Sequence, residues 1–146
     1  PFLKDIIKDK ELAEEAIVAL SSTGSDAIPF LTEIFQSQTD SAIRAAAAKG
    51  LGEIGAHTGD PTITPPMLKY LSEHLPRIKS STDIDFPVLT EVVWSLGKLR
   101  NEKSIKPIIE LQGKVWLIHD TSKEMAELRE ATSWTYNQID MDWQVQ

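Results

Sequence analysis

Apolar residues along the chain recur at spacings of three and four, in short segments separated by polar turns. That is the period of an amphipathic helix and not the alternation of a strand. Leu89, Val92, Val93, Leu96 and Leu99 keep this rule, and so do Ile105, Ile108, Ile109 and Val115, with Gln112 as one polar exception. The pattern predicts helices over 1–9, 11–22, 26–38, 41–54, 65–79, 86–100, 104–118 and 123–139. Prolines open several of these segments, where the amide proton that proline lacks would have no helical partner anyway. Asp40 and Ser122 are expected as N-caps, and Gly24 and Gly55 as left-handed residues closing helices. The one β-rich run, Val115 to Ile118, reads better as the end of a helix.

Two kinds of segment alternate. One is a proline followed by an apolar pair, with further apolar positions a turn later: Pro1-Phe2-Leu3, Pro29-Phe30-Leu31, Pro66-Met67-Leu68 and Pro107-Ile108-Ile109. The other is rich in alanine and small residues and closes on a leucine-containing cluster. Its copies are Ala13 to Gly24, Ile43 to Gly55, Leu89 to Arg100 and, more weakly, Leu128 to Asp140. Leu20, Leu51, Leu96 and Tyr136 are equivalent anchors in these four copies. In the second and fourth, an arginine (Arg44, Arg129) stands seven residues before the anchor.

Helices of about 12–15 residues are marginal alone, so their stability must come from covering an apolar stripe. One pair cannot cover its own stripe, whereas a stack of pairs can. Gly50, Gly52 and Gly97 fall inside predicted helices, where each costs roughly 1 kcal/mol against alanine. Either neighbouring helices approach closely there, or one of these helices ends early.

The sequence that carries this pattern has 146 residues, 41% hydrophobic and 25% charged, as expected of one folded domain spanning 1–146. Fifteen Lys+Arg against 22 Asp+Glu give a net charge of -7. That balance argues against a general nucleic-acid surface. There is no cysteine, hence no disulfide, thiolate ligand or cysteine nucleophile. No apolar run is long enough to span a membrane, and a cytoplasmic location is expected. The histidines, at 57, 74 and 119, have no metal-binding spacing, so neither metal nor cofactor is expected. Glu14-Glu15 and Glu124/Glu127 read as solvated acidic helix surface rather than as an acid–base pair, and no catalytic residue is assigned.

Ile43-Arg44-Ala45-Ala46-Ala47-Ala48-Lys49-Gly50-Leu51-Gly52-Glu53-Ile54-Gly55, together with Ala27-Ile28-Pro29-Phe30-Leu31, resembles the HEAT-repeat family, in particular its short PBS-lyase HEAT-like form. The resemblance implies an all-α, right-handed α-solenoid, a HEAT-like superhelix of antiparallel helix pairs. Its units would be about 1–9, 11–38, 41–79, 86–118 and 123–139, the first helix of each pair facing outward and the second lining the concave face. Both ends fall in mid-repeat, so the chain is expected to be an excerpt of a longer solenoid. Two stretches depart from the family pattern, 56–64 and 80–85, each open to being a binding loop or a tolerated insertion.

The expected function is non-catalytic: a scaffold presenting a curved surface to another protein. The alternative, which the repeat subtype suggests, is a subunit of a bilin (phycobilisome) lyase or lyase-isomerase. Candidate partner-binding residues on the second-type helices are Lys69, Glu73 and Arg77, then Lys106, Glu110 and Lys114, with Thr32, Glu33 and Gln36 at equivalent places. Trp94 and Trp134 stand two residues before their anchors, a column shared with Val18 and Lys49, and are open to two roles: anchoring a partner, or packing between repeats. Trp116 is expected in the core of its helix, and Trp143 against a continuation of the stack.

Overall fold

Seven α-helices take up the periodic segments among the described residues: α1 (Lys10–Ser21), α2 (Ile28–Ser37), α3 (Ser41–Thr58), α4 (Thr64–His74), α5 (Phe86–Leu99), α6 (Ile105–Leu117) and α7 (Lys123–Val145). The computed structural model describes residues 10–145, and no β-strand occurs among them. The expected helix 1–9 and the side chain of Trp143 lie outside the described residues. Short 3-10 turns at Ser25–Ala27, Leu75–Arg77, Ser81–Asp83 and Glu102–Ser104 lead into or out of the helices.

The predicted caps are met at two helix starts. Asp40 accepts the Ile43 amide at 3.1 Å, and Ser122 accepts the Met125 amide at 3.2 Å. The expected stop at Gly55 is not. Helix α3 runs on to Thr58 and closes on Gly59, in the left-handed region at φ 66°. A side chain on Gly55 would run into Leu99, so its glycine serves a helix approach and not a turn. Gly24 does adopt a positive φ, 90°, but beyond the end of α1, where it leads into the Ser25–Ala27 turn. Because α3 is longer than predicted, three of the nine residues of the 56–64 insertion, Ala56 to Thr58, are helical, and Thr64 already opens α4. The rest is a turn in which Asp60 accepts both the amide and the hydroxyl of Thr62.

The first-type helices α1, α3, α5 and α7 pack successively on one another. The second-type helices lie over them: α2 on α3, α4 on α5, α6 on α7, with α4 also touching α6. The apolar stripes meet between these two layers. Ile17, Leu31, Leu51, Met67, Leu71, Leu89, Leu96, Ile108 and Leu111 are all buried there, and each aliphatic side chain so covered contributes about 1.5–3 kcal/mol. Trp116 is a correction to the sequence reading. It is 58% exposed, because Ile108, Leu111 and Val115 already fill the inward stripe of α6 and leave it on the flank.

One contact repeats at every junction between first-type helices. The residue after the anchor of one helix faces the residue before the anchor of the next. The pairs are Ser21 with Gly50, Gly52 with Ser95, and Gly97 with Thr135. One partner is always glycine and the other always carries a hydroxyl. A Cβ on the glycine would collide with that hydroxyl, and at Gly97 with the Trp134 ring as well. The hydroxyl, in turn, always donates to the carbonyl three residues before the upstream anchor. Ser21 Oγ reaches Ile17 O at 2.7 Å, Ser95 Oγ reaches Ala48 O at 2.8 Å and Thr135 Oγ1 reaches Val93 O at 2.7 Å. The glycines inside the helices are therefore sites of close approach, which offsets their propensity cost.

The polar loops are laced in the same order. Ser41 at the start of α3 donates to Asp85, the N-cap of α5, at 2.6 Å. Ser81 donates to Asp120, just before α7.

If the glycine–hydroxyl pair holds α3 to α5, it should work with its members exchanged. Gly52→Ser alone should destabilise by about 2 kcal/mol through overpacking. Ser95→Gly alone should cost a similar amount, about 2 kcal/mol, through the lost buried hydrogen bond and the extra glycine. The double variant, which copies the Ser21–Gly50 arrangement, should recover more than about 1 kcal/mol of their sum in urea denaturation. Strict additivity would refute the pairing.

Ser104 gives a test of opposite sign. It is fully buried and its hydroxyl has no hydrogen-bond partner among the described residues. Ala27 and Ile63 hold the corresponding places before α2 and α4. Ser104→Ala should stabilise the chain by about 1 kcal/mol, seen as a raised urea midpoint; a lowered one would mean that the hydroxyl has a partner.

Candidate interaction surface

The second-type helices turn inward with Ile28, Leu31, Ile34 and Phe35 on α2, Thr64, Met67, Tyr70 and Leu71 on α4, and Ile108, Leu111 and Val115 on α6. Their remaining positions face solvent, as the helical spacing requires. Lys69, Glu73, Lys106 and Glu110 are exposed, while Lys114 and Thr32 are half-buried. Since α4 and α6 touch, these charges occupy adjoining helices. Arg77 is exposed but not on α4. It sits in the following 3-10 turn, at the rim of an open hollow with His74, Asp83, Asp85 and Glu124. Lys106 borders another hollow, with Glu102, Ile105, Ile139 and Asp140, between the start of α6 and α7. The six charged candidates thus divide among an α4–α6 face and two hollows at its ends.

Trp94 and Trp134 are half-buried and meet edge to face, their ring centroids 5.3 Å apart, across the α5–α7 junction. Of the two roles open to them, packing between repeats is the one this geometry displays. Val18 and Lys49, in the same column, are exposed.

Arg44 and Arg129, noted in the sequence as a recurring position without a role, join the layers. Arg44 Nε donates to Phe35 O at 2.9 Å near the end of α2, and the guanidinium lies over the Phe35 and Tyr70 rings. Arg129 donates to Val115 O, Ile118 O and Asp120 O at the end of α6 and lies 5.2 Å from the Trp116 ring centroid. Each satisfies carbonyls that a helix end leaves open. In the third copy the equivalent residue is Leu89, which is buried. There α4 ends in a different way, with His74 Nδ1 2.8 Å from Tyr70 O and the His74 ring stacked on Tyr70. Burial, with the charge of Asp85 adding to it and Arg44 opposing, pushes the Tyr70 hydroxyl up to about 12.

A match to HEAT repeats over residues 1–81, more than half of the chain, decides the family. The chain belongs to the HEAT-repeat family. No curated protein and no solved structure matches it. The match ends before α5, yet the glycine–hydroxyl junction continues through α5 and α7, so the repeat persists in geometry beyond the matched residues. Among the described residues, no helix of this HEAT-repeat chain is long and apolar enough to cross a membrane.

The loop lacing has a pH signature. Hydrogen bonds from Ser122 and Ser81, with a smaller contribution from Arg129, hold the Asp120 carboxyl down at about 2. A carboxylate depressed by folding stabilises the folded state above its unfolded pKa, about 3.9, and that contribution is lost as pH falls through the folded value. Asp120→Asn should therefore lower Tm by a constant amount above about pH 5, with the gap to the parent closing toward pH 2. A gap independent of pH in that range would show that the carboxylate's charge is not what ties the loops.

Proposed function

We propose that this chain is a non-catalytic α-solenoid segment that docks another protein on its second-type helices. The reading of the two-layer stack as a right-handed superhelix, and its assignment to the PBS-lyase HEAT-like subtype, belong to the same proposal; the 43–55 motif supports the subtype. HEAT repeats commonly serve as protein-interaction scaffolds, and the surface supplies the support for this chain. Stacking consumes the apolar stripes, while the outward positions of α4 and α6 carry Lys69, Lys106 and Lys114 beside Glu73 and Glu110. This face is locally basic within a chain of net charge -7, which fits a partner with acidic groups at matching spacing. Arg77 would extend the contact at the exit of α4. A general nucleic-acid role is not part of this reading, because the overall charge opposes it.

The test is charge reversal on that face. Lys69→Glu with Lys106→Glu should leave the helical circular dichroism spectrum unchanged and weaken a protein partner recovered by the parent chain at least about tenfold. Binding that survives the reversal would remove α4 and α6 as the docking face. A visible bilin absorbance, gained when the chain is mixed with a chromophore donor, would instead favour the lyase alternative.

A further inference from the structure

On the first-type layer, sharing Phe86, Pro87 and Glu124 with the hollow that Arg77 borders, a groove of about 260 Å³ runs across three helices. Its walls are Ala45 on α3, Phe86, Pro87, Thr90 and Glu91 on α5, and Glu124 and Glu127 on α7. Three properties set it apart from an ordinary solvated acidic face. Glu91, Glu124 and Glu127 form no ion pair among the described residues, although Lys49 and Lys98 lie near Glu91. Thr90 is only 6% exposed, lines the groove, and has no hydrogen bond among the described residues. The floor is apolar, with Phe86 half-buried and Pro87 exposed.

We propose that this groove seats an arginine side chain from a basic segment of a partner protein. A guanidinium is planar and carries five donors, so it can lie on Phe86 while reaching separated carboxylates and the accepting Thr90 oxygen. Pro87 would cover the aliphatic stem. A metal ion is a poorer fit, since no group of three carboxylates or histidines among the described residues converges closely enough to hold one. The electrostatics agree with a preference for a cation in this groove. Burial, foremost, with the charges of Glu127 and Glu53, raises the Glu91 carboxyl above its ordinary range, against the opposing pull of Lys49 and Lys98. A cation brought into the groove would relieve that cost.

The probe is a short fluorescein-labelled peptide of alternating glycine and arginine, followed by fluorescence anisotropy on the full chain. Glu91→Gln with Glu127→Gln keeps shape and removes two charges, and should weaken binding about tenfold. Glu15→Gln with Glu102→Gln removes the same charge at exposed positions elsewhere and should change affinity by less than about twofold. Equal losses in the two pairs would mean that only the net charge of the chain attracts the peptide, and would overturn the site. So would unaltered binding by the Glu91/Glu127 variant, or no binding by the parent. A glycine–lysine peptide should bind more weakly, and equal binding would overturn the guanidinium assignment. Matching circular dichroism spectra of all variants would keep loss of fold from passing as loss of site.

Discussion

A hydroxyl facing a glycine across two helices sets the geometry on which the rest of this molecule depends. The junctions Ser21–Gly50, Gly52–Ser95 and Gly97–Thr135 differ in which side supplies the glycine. They agree in outcome: a hydroxyl fills the space and donates to the upstream carbonyl of Ile17, Ala48 or Val93. Those carbonyls already accept a helical amide, and the added bond uses their second lone pair. Ordinary helix packing leaves 8–10 Å between axes, and small residues at the crossing allow the lower end of that range. At the α3–α5 and α5–α7 junctions the bond crosses between helices and fixes their sliding position, because a hydrogen bond has one allowed register where an apolar contact tolerates several; at α1–α3 the bond lies within α1.

Once that register is set, other features fall into line. The N-terminal ends of α3, α5 and α7 arrive side by side, so Ser41 can reach Asp85 and Ser81 can reach Asp120. The second layer is attached by side chains of the first. Arg44 and Arg129 project from α3 and α7 to the open carbonyls ending α2 and α6. A guanidinium can serve several carbonyls at once and lie over a ring, which lysine cannot do in the same way. The third copy holds Leu89 at this place, and α4 closes instead with the stacked Tyr70–His74 pair and a 3-10 turn containing Pro76. A helix end can thus be satisfied by two unrelated means within one repeated scaffold.

The two layers differ in electrostatic character. Lysines stand on the exposed side of α4 and α6, while Glu91, Glu124 and Glu127 gather where α5 and α7 begin. Since the stripes between the layers are consumed by folding, each outer surface is free to vary its charge without cost to the core. That separation is what would let the chain carry the two surfaces proposed above.

The sequence by itself determined the helical class, the alternation of two segment types, the N-caps at Asp40 and Ser122, and the outward placement of Lys69, Glu73, Lys106 and Glu110. All of these follow from local spacing and from the chemistry of single residues. It also marked Gly50, Gly52 and Gly97 as out of place in helices, without saying what they face. Tertiary structure alone decided that Gly55 continues α3, that Trp116 lies on a flank while Trp94 and Trp134 meet, that Arg77 turns away from α4, and that Glu91 shares a groove with Glu124 and Glu127. The Gly55, Trp94–Trp134 and Glu91 features depend on residues some 30 to 45 positions apart in the chain being brought together by the packing of neighbouring helices. Periodicity within one helix carries no information about the register of the next. Between α3 and α5, and again between α5 and α7, that register was set by a hydroxyl on one helix and a carbonyl on the other; between α1 and α3 it was set by the fit of Ser21 against Gly50.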